Sequence, residues 1–177
     1  MAAYDAALKL KPDYPNAIYN KGNALAALGQ CDEAIAAYDA ALKLKPDYPD
    51  ALNNKGIVLF ELDQYEEAIA AYDAALKLNP DLHEALNNKG NALADLGQYK
   101  EAVTAYNSAI TIQPSLPNSY GGLAVAYTAL GKKEQAIESL EKFLARSPDF
   151  DRQTLNEMDE FKSLRNHPRF RAITDAP

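Results

Sequence analysis

The sequence predicts an all-α protein built as a linear array of antiparallel helix pairs. Three observations predict it. The stretch AAYDAALKLKPDYP at residues 2–15 returns unchanged at 36–49, and a near copy, AAYDAALKLNPDLH, fills 70–83. Pro12, Pro46, Pro80, Pro114 and Pro148 fall 34 residues apart with no insertion between them. Within each period, apolar and small residues such as Ala34, Ile35, Tyr38, Ala41 and Leu42 recur at helical spacing. A unit this short cannot bury its apolar face alone, so it must stack on its neighbours.

The period divides the chain into a half repeat at 1–14 holding helix B only, repeats at 15–48, 49–82, 83–116 and 117–150, and a capping segment at 151–177. In the first full repeat, helix A is expected over about 15–28, starting at Pro15, because a first-turn proline lacks only a donor that would be unpaired anyway. The connection LGQ places Gly29, Gly97 and Gly131 where a left-handed residue closes a helix; the second repeat has Asp63 there, and Asp tolerates that conformation better than most. Helix B, about 32–45, opens on acidic pairs (Asp32–Glu33, Glu66–Glu67) and closes on Lys43, Lys45 and Lys77, both complementing the helix dipole. It stops because Pro46 cannot continue it and disfavours helical geometry in the residue before. Gly22 and Ala34 mark where helices A and B approach closely, with Tyr38 and Leu25 as layer-filling side chains, each worth roughly 1.5–3 kcal/mol on burial. Gly121–Gly122 should weaken the fourth helix A by about 1 kcal/mol each. Beyond Pro148 the register is expected to be lost, with neither the Gly nor the Ala anchors present, but Phe150, Leu155, Met158, Phe161, Leu164, Phe170 and Ile173 are spaced for short helices that cap the last repeat.

Bulk properties exclude several functions. A net charge of −7 and a pI near 4.8 repel nucleic acid and anionic membrane surfaces. No apolar run reaches the length of a membrane span, and the first residues lack the basic start and apolar core of a signal peptide. The single cysteine, Cys31, rules out an intramolecular disulfide and fits a cytoplasmic protein. It takes the place of Tyr65 and Tyr99, where burial between helices is expected. His83 and His167 have no second histidine one turn away, and no C-x-x-C, G-x-G-x-x-G or G-K-[ST] occurs. The expectation is a protein with no enzyme activity, no metal and no cofactor.

The stretch NKGNALAALGQCDEAIAAYDAALKLKP resembles the tetratricopeptide repeat, in full over residues 15–148 and over 2–14 as a lone helix B. The chain departs from the family where Ile18, Leu52 and Leu86 replace a frequent aromatic; Tyr120 keeps it. The resemblance implies a right-handed α-solenoid that binds proteins or peptides on a concave surface. That surface is lined by places two, five, six, nine, twelve and thirteen of each helix A. Those places hold Asn20, Asn54 and Asn88; Tyr19, Asn53 and Asn87; Asn23 and Asn91; and the acids Asp50, Glu61, Glu84 and Asp95. An amide offers a donor and an acceptor side by side, matching the backbone of an extended peptide. The asparagine row is similar to the superhelix of the enzymes that add N-acetylglucosamine to proteins. A second reading stands beside it: NNKG as solvated surface multiplied by recent duplication. Asparagine's poor helix propensity favours a ligand role. Some family members grip a terminal carboxylate with cations; Asp50, Glu84 and Asn88 here argue instead for neutral or basic peptides. Lys21, Lys55 and Lys89, one step round the helix, are expected to cover apolar surface with the ammonium in water. The function expected is an interaction scaffold. The alternatives are a substrate-recruiting arm of a larger enzyme such as a glycosyltransferase, or a module that self-associates through the apolar face of Met1–Tyr14.

Overall fold

The computed structural model describes residues 8–175, so the part of the half repeat at 1–7 lies outside the described residues. The chain divides into two compact units, residues 1–92 and 93–177. The first holds α1 (Pro15–Ala27), α2 (Cys31–Leu44), α3 (Pro49–Glu61), α4 (Tyr65–Leu78) and most of α5 (His83–Asp95). The second holds α6 (Tyr99–Ile112), α7 (Pro117–Ala129), α8 (Lys133–Leu144), α9 (Thr154–Glu157), a 3-10 helix (Asp159–Leu164) and α10 (Pro168–Thr174). Residues 8–10 are helical; the helices expected over about 15–28 and 32–45 form at Pro15–Ala27 and Cys31–Leu44, and the later A helices start at Pro49, His83 and Pro117. Helices α1 with α2, α3 with α4, and α7 with α8 pack as pairs; within the first unit α2 also packs on α3, and within the second α6 packs on α7.

Each A helix closes in the same way. In the first repeat, the Gly29 N–H donates to the Ala26 carbonyl and the Gln30 N–H to the Leu25 carbonyl, the two bonds of a Schellman cap. Gly29 has φ +72°, and Asp63 takes the same left-handed conformation at φ 58°, held by a hydrogen bond from the Tyr65 hydroxyl at 2.8 Å. Pro15, Pro49 and Pro117 occupy the first turn of their helices. Inside the first two pairs, Tyr38 and Tyr72 are 1% exposed and press closely against Gly22 and Gly56. A Cβ on Gly56 would come within 2.5 Å of the Tyr72 ring, which is why glycine stands there. Ala34, Ala68, Ala102 and Ala136 are wholly buried, giving the second helix its close approach. Cys31 is half-buried and packs with Leu25, Tyr38 and Val58.

The lysines depart from expectation. Lys55 donates to Asp39 at 2.6 Å and Lys89 to Asp73 at 2.5 Å, so each ammonium, still in contact with water, reaches back to helix B of the preceding repeat. The two pairs repeat at the 34-residue step and tie one repeat to the next. Each is solvated, and contributes at most about 1 kcal/mol.

The register, expected to be lost beyond Pro148, is lost in the first part of the cap but kept by its last helix, although the anchor residues change. The step that carries Pro117 to residue 151 precedes α9 by three residues, and the step from Lys133 reaches His167, next to Pro168. Phe170, fully buried, fills the place that Ala136 holds one repeat earlier. Leu155, Phe161, Leu164 and Phe170 close over Ala136, Ile137, Leu140 and Leu144, with Phe150, Met158 and Ile173 at the margin. The rim is ionic: Arg169 grips both oxygens of Glu141 at 2.9 Å and one of Glu134 at 2.8 Å, and His167 Nε2 lies 2.9 Å from the other oxygen of Glu134.

Candidate functional site

The residues predicted to line a binding surface are joined to one another in the first unit. Place six of one A helix reaches places five and nine of the helix before it. Asn54 on α3 donates one amide hydrogen to the Tyr19 hydroxyl at 2.9 Å and the other to Asn23 Oδ1 at 3.0 Å, both on α1. The Tyr38 hydroxyl donates to the same Asn23 oxygen at 2.8 Å. Asn53 donates to Asn54 Oδ1 at 3.2 Å and accepts from Asn88 of α5 at 3.2 Å. Because place nine of the second repeat is Ile57, Asn88 has no amide there to meet and turns to Asn53.

The network sorts the predicted set. Asn53 is 7% exposed and Asn54 has spent both amide hydrogens, so these two act as struts between neighbouring helices. Asn23 spends only its carbonyl; its own amide hydrogens have no partner among the described residues. Asn20, whose repeat has no A helix before it among the described residues, is exposed and outside the network. Asn87, Asn91 and Asp95 are each engaged with neighbouring groups. Asp50 and Glu84 are exposed, Glu84 with its carboxylate 3.3 Å from the His83 ring.

A cleft of about 280 Å³ opens between α1, α2 and α3, beside this network. Ala26 and Ala27 form one wall, Ile57 and Val58 the other; Asn23, Asn54 and Tyr38 supply polar atoms, and Glu61 stands at its edge. Burial, with Tyr19 and the Glu61 carboxylate adding to it, pushes the Tyr38 hydroxyl up to about 12. Tyr72 is raised as well, by burial first and by Glu61 second. Sequence reasoning assigned Tyr38 to the core alone and passed over Ile57, Ala26 and Ala27. Their places, nine, twelve and thirteen, belong to the surface-lining set of each helix A, so the signal in the sequence is position, not residue type. The same places in the second unit line a cleft of about 400 Å³, in which Val125, Thr128 and Ala129 of α7 face Asp159, Glu160 and Lys162 of the 3-10 helix.

Among the described residues, no group of three or more His, Cys, Asp or Glu could hold a metal ion, and no helix is long and apolar enough to cross a membrane. Helix pairs copied at a fixed step, with an amide-bearing cleft between the first helices of the first two repeats, define a helical-repeat scaffold for protein–protein interaction. The chain belongs to the tetratricopeptide repeat family: profiles described as Tetratricopeptide repeat match residues 2–49, 19–83 and 53–117, and a second such profile matches 93–155. A search of curated proteins finds no significant match. Solved structures resemble it throughout. PilW, a widely conserved type IV pilus biogenesis factor, is 25% identical over 97% of this chain and 80% of its own, with a TM-score of 0.84. YrrB, a tetratricopeptide protein with an unusual peptide-binding site, shares the fold at 19% identity, 98% and 89% coverage and a TM-score of 0.78. The first tetratricopeptide domain of Spaghetti (RPAP3), bound to the HSP90 peptide SRMEEVD, is 25% identical over 66% of this chain and 93% of its own, with a TM-score of 0.65.

Proposed function

We propose that the exposed face of α1 and α3 binds extended peptide segments, neutral or basic, and that the chain works as a non-catalytic scaffold in a reducing compartment such as the cytoplasm. The observation that carries this reading is the divided labour of the amides. Struts at Asn53 and Asn54 hold the face rigid, while Asn23 keeps its N–H groups beside an open cleft, where a peptide carbonyl can accept from them. The HSP90 peptide bound by the RPAP3 domain supports a peptide ligand. The acidic end of that peptide does not suit Asp50, Glu61 and Glu84, all exposed here. Panning a random-peptide display library against the purified chain tests the reading. Selected peptides should carry few acids, and Asn23→Ala should weaken them several-fold, since removing one donor costs about 1 kcal/mol. Selection of no peptide, or binding indifferent to Asn23, would overturn it.

A further inference from the structure

Apart from the Asn23 amide hydrogens, the unused hydrogen-bonding capacity of the cleft between α1 and α3 is all acceptor. Asn54 has no hydrogen left, and the Tyr38 hydrogen is committed to Asn23. What remains beside Asn23's amide is acceptor: lone pairs on the Tyr38 oxygen and both oxygens of Glu61, for which no ion pair exists among the described residues. The lysines of the neighbouring A helices do not compensate, because Lys55 is turned to Asp39 and Lys89 to Asp73. The walls of Ala26, Ala27, Ile57 and Val58 are aliphatic. The volume of about 280 Å³ is smaller than the roughly 300–1,000 Å³ usual for whole small-molecule ligands. An apolar slot with a carboxylate at its mouth and acceptors to spare fits one long side chain that is aliphatic along its length and cationic at its tip.

We infer that this cleft is a socket for a lysine or arginine side chain of the bound peptide, with the stem between Ala26 and Ile57 and the cation on Glu61. The inference deepens the peptide-binding reading and rests on it. The socket makes basic peptides a requirement at one position, beyond a general preference of an acidic surface. An uncharged side chain of equal length would bury the same stem and leave the carboxylate unmet.

The test titrates Nα-acetylarginine methylamide and Nα-acetyllysine methylamide into the isotope-labelled full chain, following backbone amides by NMR. The uncharged Nα-acetylnorleucine methylamide serves as control. Saturable shifts are expected at Asn23, Ile57 and Glu61 for the cationic probes only. Glu61→Gln should weaken them about tenfold, the loss of one charge-assisted contact, with the helical circular dichroism unchanged. Equal binding of the norleucine probe, shifts confined to Asp50 or Glu84, or indifference to Glu61→Gln would overturn the socket. A chain that ignores the arginine probe yet holds display-selected peptides through Asn23 loses the socket and keeps the peptide-binding face. A chain that does neither loses both.

Discussion

Gly121 and Gly122 sit side by side in α7, and alanine should stabilise the chain at the first position but not at the second. Any Gly→Ala change inside a helix gains about 1 kcal/mol of propensity. At Gly121 the new methyl would lie 3.6 Å from the Phe143 ring, an ordinary contact, so the gain is kept. At Gly122 it would come within 2.6 Å of Tyr106 Cε1 and closer still to Cζ. Tyr106 is 2% exposed and cannot swing into solvent, so the helix must move or the ring must strain. Overpacking of this kind costs about 1–3 kcal/mol, which cancels or exceeds the propensity gain. Gly121→Ala should therefore raise the melting midpoint by about 2–4 °C, since that is what 1 kcal/mol is worth in a chain of this size. Gly122→Ala should leave it unchanged or lower it by several degrees. Circular dichroism melts of the two variants beside the parent decide the matter. The adjacent positions share helix, exposure to the propensity term and unfolded state, so the difference between them reads sterics alone. Equal stabilisation by both would refute the claim that glycine at 122 is there for the tyrosine.

Three further outcomes follow from the same contacts. Asn54→Ala loses two donated hydrogen bonds, each worth about 0.5–1.5 kcal/mol, against a propensity gain of at most about 0.7 kcal/mol. It should lower the denaturant midpoint where Asn20→Ala, outside the network, does not. Tyr38, Tyr72 and Tyr106 have hydroxyls raised above their ordinary 10.0 by burial, so the folded chain holds these protons longer than the unfolded one. Stability is then intact below about pH 10 and falls as the pH rises toward 12 and beyond, and tyrosinate absorbance should show these hydroxyls ionising only as the helices melt. Phe170→Ala removes a ring buried at the centre of the cap, costing about 3–5 kcal/mol, and hydrogen exchange should show protection lost across residues 154–174 while α1 to α4 keep theirs.

The fold was legible because each of its determinants is local. Pro15, Pro46, Gly29 and Asp63 set chain direction through their own backbone preferences, and a fixed step repeats the decision without accumulating error. The cap was legible only as apolar spacing, because Phe170 and Met158 replace small anchors with large ones. Those side chains are right only when no further helix pair must stack above them. The candidate site was half legible. Helical phase placed Asn23, Asn53, Asn54 and Asn88 on neighbouring faces, but it could not say which amide hydrogens would be spent inside the protein. That depends on the distance between α1 and α3, a tertiary quantity. The lysines failed for the same reason: nothing in the sequence near Lys55 announces Asp39, sixteen residues earlier on another helix.

The asparagine network also explains how both readings of the repeated NNKG can hold. Asparagine in mid-helix lowers helix propensity, and a surface amide with no partner would return nothing for it. Here Asn54 returns two bonds to the helix before it, which gives selection for stacking a reason to keep it without any ligand. Duplication then copies the residue to places where its partners differ. At Asn88 only the bond to Asn53 is recovered, and at Gly122 the amide is gone because Tyr106 occupies the space. A ligand-binding role can emerge only where the copied network is left incomplete. In the first unit that place is Asn23, which accepts twice and donates to no partner among the described residues, beside a cleft whose remaining charge is negative.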